Sequence, residues 1–213
     1  MIPARLPPPP SAPIVLTKLL LVEGDTPIHF FEAMLRHLGL EREIEIRNFR
    51  GVGDFKTYLI NLADTDEFKR LVTSLGVVRD AEKQPATAAR QSVEAALLAA
   101  GLTPNRTPPI KTSVIILPDN TNAGMIETLC MSAVQAEPSL SSAYSCVEDF
   151  FACLVRNGIA LPAAPVLDKN RAQAYLATRQ DVQMFPGLAA YRNHWGPWTN
   201  PVFQPLLHYL QAL

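Results

Sequence analysis

The sequence is short of cysteine, short of charge and without a long apolar run. Three cysteines in 213 residues, none of them in a CxxC pair, exclude a disulfide framework and a closed zinc site. Charged residues are only 18%, and 19 basic against 20 acidic side chains leave a net charge of −1. That balance excludes disorder driven by charge, and it excludes a chain that coats nucleic acid by bulk attraction. A local basic groove remains open. No apolar stretch reaches the roughly 18 residues of a membrane helix. The nearest candidate, PIVLTKLLLV, is broken by Lys18 and runs into EGD rather than a small-residue cleavage site, so no signal peptide is read. GxxxxGK[ST], GxSxG and HExxH are all missing, which removes phosphate-loop hydrolysis and two common hydrolase types. Free thiols and no membrane span point to the cytoplasm.

Proline is abundant, at 19 residues, and much of the excess is local. Pro7 to Pro10 are consecutive, with Pro3 and Pro13 nearby, and such a run favours extended polyproline II. Residues 1–13 therefore read as a flexible leader, either a linker or a docking peptide for a proline-binding groove. The remaining 14–213, in a chain that is 48% apolar, suit one domain with a sizeable core and a helical C-terminal extension.

Strand and helix signals alternate along that domain. Val15–Val22 is a short apolar run, as in strands buried on both faces. Thr26 is expected to cap a helix with Pro27 at its first position and Phe30, Phe31, Met34, Leu35 and Leu38 at helical spacing. Glu43–Phe49 alternates as a strand, RGVGD follows as a loop, and FKTYLINLADTDEFKRLV reads as helix broken near Asp64. Thr73–Arg79 is a strand, Pro85–Ala100 a helix, and Thr112–Leu117 the clearest strand. Helices are expected at Ala123–Val134, at Leu140–Asn157, and at Lys169–Thr178 with Asp168 as cap. The order predicts an α/β fold, a three-layer sandwich around a mainly parallel sheet.

In such sheets ligands bind beyond the carboxyl ends of the strands. Here those ends carry acids: Glu23, then Asp80 and Glu82, then Asp119. Asp119 and Asp168 are also ordinary turn and cap residues. Glu23 is a poor cap before a glycine, with a better one downstream. If the chain stays extended, Asp80 and Glu82 point the same way, and three carboxylates converge. At ~5 Å and an effective dielectric of ~20, each pair repels by roughly 3 kcal/mol. A divalent cation or a retained proton offsets that repulsion, and hard oxygen donors suit Mg2+ or Mn2+. Among the other signals, Cys146 and Cys153 share one helical face and read as core, and Cys130 has no partner ligand in sequence. His29 reads as a packed or hydrogen-bonded residue. Trp195 and Trp198, in RNHWGPWTNP, read as closing the domain edge.

LLLVEGDTPIHFFEAML resembles the first motif of the Toprim domain, a hydrophobic strand delivering a glutamate followed by glycine. GVVRDAE resembles its second motif, a strand ending in acid-x-acid. VIILPDNTNAGMIETL, DKNRAQAYLATRQD and WTNPVFQPLLHYL resemble a bacterial family of small stand-alone Toprim-like proteins, related to OLD-family nucleases and ribonuclease maturases. The resemblance spans nearly all of the chain from Lys18. It implies a Toprim-like fold and a Mg2+- or Mn2+-dependent phosphoryl-transfer centre, most simply a nuclease acting on DNA or RNA. By position, Glu23 is then a general acid/base or metal ligand, and Asp80 and Glu82 are the metal pair. Glu127 or Asp119 extends the site, unless Glu127 is only a solvated helix residue. Lys169 stands where a late lysine meets the scissile phosphate, unless it is a surface lysine. Arg79 and Lys83 flank the acid pair and are placed to meet a phosphate backbone or to balance surface charge. The chain departs from the Toprim pattern in its D-x-E pair, where D-x-D is common. It also has Pro27 where an aspartate often follows the first glutamate. The alternative function is a catalytically inactive module that binds metal or nucleic acid or regulates a partner. A partner ATPase and self-association are both left open by the sequence.

Overall fold

The computed structural model describes residues 13–49, 55–103, 105–180 and 185–213. Residues 1–12 of the expected leader and the RGVGD loop, 50–54, lie outside them. Four strands form one sheet: β1 (Lys18–Val22), β2 (Ile44–Asn48), β3 (Ser74–Asp80) and β4 (Lys111–Leu117), in the order β2-β1-β3-β4. Every pairing is parallel, with Leu20 opposite Ile46 on one side and Gly76 on the other. The sheet is α/β and flanked by helices on both faces, the three-layer arrangement that the alternation predicts.

Strict two-residue alternation divides the strand side chains. Leu19, Leu21, Leu75, Val77 and Ile116 face one layer, made by α2 (Phe55–Asp64), α3 (Asp66–Leu71) and α4 (Ala86–Ala99). Leu20, Val22, Ile44, Ile46, Val78, Ile115 and Leu117 face the other. That second layer holds α1 (Asp25–Leu38), α5 (Ile126–Ala136), α6 (Ser141–Arg156), α7 (Ala164–Ala177), α8 (Pro186–Ala189) and α9 (Gln204–Gln211). Among the described residues, no helix is long and apolar enough to cross a membrane.

The chain travels from β1 to β2 in one direction, then crosses back to β3 and on to β4. Parallel crossovers share one hand, so reversing the direction moves the connecting helices to the opposite face. The reversal creates a switch point between β1 and β3, where open α/β sheets bind ligands at the strands' carboxyl ends. Glu23 follows β1, and Asp80 ends β3.

Local expectations were met with three exceptions. The break near Asp64 is real: the Thr65 hydroxyl accepts from the Phe68 N–H at 3.3 Å and starts α3. The cap of α1 is Gly24, not Thr26, because the chain turns at once after Glu23 through a φ of 89° that favours glycine. Pro27 falls at the third helical position, still inside the first turn, where no intrahelical N–H bond is lost. The Gly24 N–H donates to Asn48 Oδ1 at 2.9 Å, and Asn48 Nδ2 donates to Asp25 Oδ1 at 3.0 Å, locking this turn to the end of β2. Second, α7 starts at Ala164, so Asp168 lies within the helix instead of capping it. Third, Cys146 and Cys153 are exposed, because α6 buries only Val147 and Phe151. Trp195 and Trp198 are buried, Trp195 donating to the Pro186 carbonyl at 2.9 Å and Trp198 packing on Phe30 and Phe203.

The β4 edge is occupied by the protein itself, and side chains of β2 tether the residues that lead into β1. On β4, Asn120 takes both main-chain groups of Ile116, accepting its N–H at 2.8 Å and donating to its carbonyl at 2.7 Å, while Arg90 donates to the Val114 carbonyl at 3.3 Å. On β2, the Glu45 carboxylate accepts the N–H groups of Val15 and Leu16, and Arg47 donates to the Pro13 carbonyl at 2.8 Å. The C-terminal helix seats on the sheet at Gly76. A Cβ there would stand 2.7 Å from the Tyr209 hydroxyl oxygen and about 3 Å from Leu20 and Leu213, and that hydroxyl reaches the Val77 and Ser113 carbonyls. Gly76→Val is therefore expected to destabilise the protein by about 1–3 kcal/mol or more, read as a lowered midpoint in thermal or urea denaturation. An unchanged midpoint would show that α9 does not depend on this contact.

Candidate functional site

Asp80 organises the carboxyl edge of the sheet. Val78 faces the α5 layer, and the alternation carries Asp80 to the same side. Asp80 Oδ1 accepts the N–H of Ile126, the first residue of α5, at 3.1 Å. The backbone makes this meeting possible. Glu82 and Gly124 exchange two main-chain hydrogen bonds, at 2.7 and 2.9 Å, pinning the segment before α5 to the end of β3.

The next residue of α5, Glu127, is only 6% exposed. Burial raises the pKa of its carboxyl, and Asp168 adds to this. Its own backbone N–H and Lys169 act in the opposite direction. One turn on, Cys130 is fully buried, and burial with the nearby Glu127 and Asp80 charges raises its thiol well above the ordinary value. Asp80 responds most usefully. Burial, then Glu127, then Glu23 push its pKa up to about 8, against the Ile126 N–H and Lys169, which favour the carboxylate. Without a bound cation, Asp80 therefore carries a proton at neutral pH.

Two of the expected residues thus act on a third: Glu23 from the β1 end and Glu127 from α5 both raise the pKa of Asp80 at the β3 end. Lys169 of α7 is the cation that acts on Asp80 and Glu127. Its placement depends on a tie that sequence reasoning missed. Thr128 accepts the Met125 N–H at 3.1 Å and donates to Asp168 Oδ2 at 2.6 Å, joining the start of α5 to α7. Arg171 in turn bridges Asp168 and Glu148.

The other expected residues lie elsewhere. Glu82 is exposed, and its φ of 55° ends the extended run that was to align it with Asp80. Its charge is not among those acting on Asp80. Asp119 holds its own loop. Burial opposes ionisation there, but hydrogen bonds from the Asn122 N–H and side chain and the Thr121 N–H outweigh it and lower the pKa. Arg79 belongs to the opposite face of the sheet, one residue out of step with Asp80. His29 pairs with Glu32, as Tyr191 does. A cavity of about 430 Å³ lies beyond Thr128, lined by Pro118, Leu129, Pro201 and Pro205, but not by Glu23, Asp80 or Glu127.

A residue-family model described as "Protein of unknown function (DUF3226)" matches residues 17–213. The chain belongs to this family. DUF3226 thus takes in both layers and every acid discussed above. No curated protein matches the sequence. Among solved structures, the chain is similar to the C-terminal region of the Xanthomonas campestris pv. campestris OLD protein, phased with iodine. The identity is 12%, the match covers 94% of this chain and 100% of that one, and the TM-score is 0.38. The same region phased with platinum also gives 12% identity, covering 92% of this chain and 96% of that one, with a TM-score of 0.37. Neither likeness reaches a TM-score of 0.5, so the chemistry is read from this chain's own residues.

The donors at the centre are carboxylate oxygens, the set that Mg2+ and Mn2+ favour, and the proton on Asp80 occupies the place of a cation in the charge balance. They are not a ready-made cage: among the described residues, no group of three or more His, Cys, Asp or Glu is arranged to hold a metal ion. The fit is one of donor chemistry and charge.

The raised pKa of Asp80 has a definite sign in stability. Between the unfolded value near 4 and about 8 the native state holds the extra proton, so this contribution is fully present below pH 4 and is lost as pH rises through about 8. Asp80→Asn keeps an uncharged group and is expected to flatten the dependence and to raise the melting temperature at pH 8 by several degrees in EDTA. A variant that melts with the wild-type pH profile would rule out Asp80 as the titrating group.

Proposed function

We propose that this protein is a Toprim-type, divalent-cation-dependent phosphoryl-transfer enzyme, a nuclease acting on DNA or RNA. The observation that carries the reading is the gathering of Glu23, Asp80 and Glu127 from three separate elements at the sheet's switch point, with Lys169 as the facing cation. A buried carboxyl whose pKa is raised by two neighbouring glutamates is costly to ionise unless a cation or a proton joins it. Asp80 and Glu127 would hold Mg2+ or Mn2+, with Glu23 as a further ligand or as the group that orients and deprotonates a water. A bound ion supplies Lewis acidity toward a phosphoryl oxygen. Lys169 would draw the scissile phosphate to the acids and offset its charge. Glu82 stands at the rim, where it contributes the main-chain clamp to Gly124 and an exposed carboxylate that can join an incoming ion. The exposed thiols of Cys146 and Cys153 support a reducing compartment, the cytoplasm.

A second reading is favoured by the absence, among the described residues, of a preassembled three-donor group. In that reading the module binds metal or nucleic acid, or regulates a partner such as an ATPase, without cleaving.

Plasmid, single-stranded DNA and RNA incubated with Mg2+ or Mn2+ separate the two. The wild type is expected to cut at least one substrate, with Glu23→Gln and Asp80→Asn each reducing the rate by a hundredfold or more, roughly the loss of a general-base contribution. Cation-dependent stabilisation without turnover selects the second reading. Equal cleavage by wild type and both variants removes this centre as its source.

A further inference from the structure

Arg79 lies next to Asp80 in sequence and on the other face of the sheet. It is the penultimate residue of β3, it pairs in register with Ile116, and its face is the one shared by Val77 and Leu21. Its Nε and Nη1 are both buried, and among the described residues neither has a hydrogen-bond partner. Among the described residues Arg79 enters none of the ion pairs. The residue as a whole is partly exposed.

An arginine in this state is unusual. Buried donors are almost always paired, and a buried charge with no counter-charge is among the more costly arrangements a fold tolerates. Arg47, also buried, shows how this fold treats an arginine with a structural task. Its Nε donates to Glu45 at 2.6 Å and its Nη2 to the Pro13 carbonyl at 2.8 Å. Among the described residues Arg79 has no such partners, and it stands at the end of β3, beside the switch point. Each fork of a guanidinium, Nε with Nη2 and Nη1 with Nη2, contains one of the two unpartnered donors. Either fork matches the oxygens of a phosphate.

We infer that Arg79 is an oxyanion site on the α2–α4 side of the sheet's carboxyl edge, taking a phosphate group of a nucleic-acid backbone. The phosphodiester identity rests on the proposed nuclease reading; the anion site rests on Arg79 alone. Because Arg79 and Asp80 project to opposite faces, a bound strand crosses the end of the sheet. One phosphate sits with Arg79 on the α2–α4 side, and another reaches the acids and Lys169 on the α5–α7 side.

The test uses the full chain in EDTA, where no cation-dependent turnover occurs, so a failure of cleavage leaves it untouched. Two probes are compared, inorganic phosphate by thermal shift and a labelled oligothymidylate by fluorescence anisotropy over a salt series. Phosphate is expected to raise the melting temperature of the wild type and not of Arg79→Met. The oligonucleotide is expected to bind Arg79→Met roughly tenfold more weakly, with the slope of log K against log salt reduced by about one. Arg79→Lys, which keeps the charge and loses the fork, is expected to fall between the two. In phosphate-free buffer Arg79→Met should melt at or above the wild-type temperature. A large drop there makes Arg79 a structural residue and overturns the inference, as does equal binding of both probes by wild type and Arg79→Met. Phosphate binding that depends on Arg79, without oligonucleotide binding, overturns the phosphodiester assignment and keeps only the anion site.

Discussion

The hydrogen bond from the Ile126 N–H to Asp80 Oδ1, beside the Glu82–Gly124 backbone pair, joins the two halves of the centre. It brings the start of α5 to the end of β3, and with it Glu127, Thr128 and Cys130. Through Thr128 and Asp168 the same contact draws in α7 and Lys169. A carboxyl group at a helix start is ordinarily stabilised as an anion. Here burial and two neighbouring glutamates dominate, so the group that holds the helix also retains a proton. The carboxyl group that anchors the helix is therefore also the one whose pKa is raised.

The architecture was legible because the strands bury both faces. Short apolar runs such as LLLV and VIIL have one physical use at that length in an alternating chain, and each became a strand. Strand ends were legible too, since an acid cannot continue into such a core. What lay beyond those ends was less so. The alignment of Glu82 with Asp80 assumed an extended backbone, and the antiparallel pairing with Gly124 turns it instead. Nothing local to DAE announces that pairing, because it depends on a residue more than forty positions away. The cap of α1 was misplaced for a similar reason. Gly24 is held by Asn48 from β2, while Thr26 looked sufficient by itself.

Burial of Glu127 was undecided in sequence because a glutamate in the first turn of a helix is usually solvated. Its surroundings come from α7, which the sequence started several residues late by treating Asp168 as a cap. Exposure of Cys146 and Cys153 was misread for the opposite reason. The apolar stripe of α6 is real, but only Val147 and Phe151 are covered, and the cysteines flank it. In each case the period was correct and the covering partner was the unknown.

The treatment of the sheet's rims sets how this protein can meet others. A fifth strand joining at β4 would need the donor and acceptor of Ile116 and the carbonyl of Val114, and Asn120 and Arg90 already hold them. At β2, Glu45 and Arg47 tether the residues that lead into β1. At β4 an extended peptide therefore gains no backbone ladder without first displacing Asn120 and Arg90. Strand addition at that margin is thus blocked by the chain's own loop and helix side chains, without a further strand or a bulge.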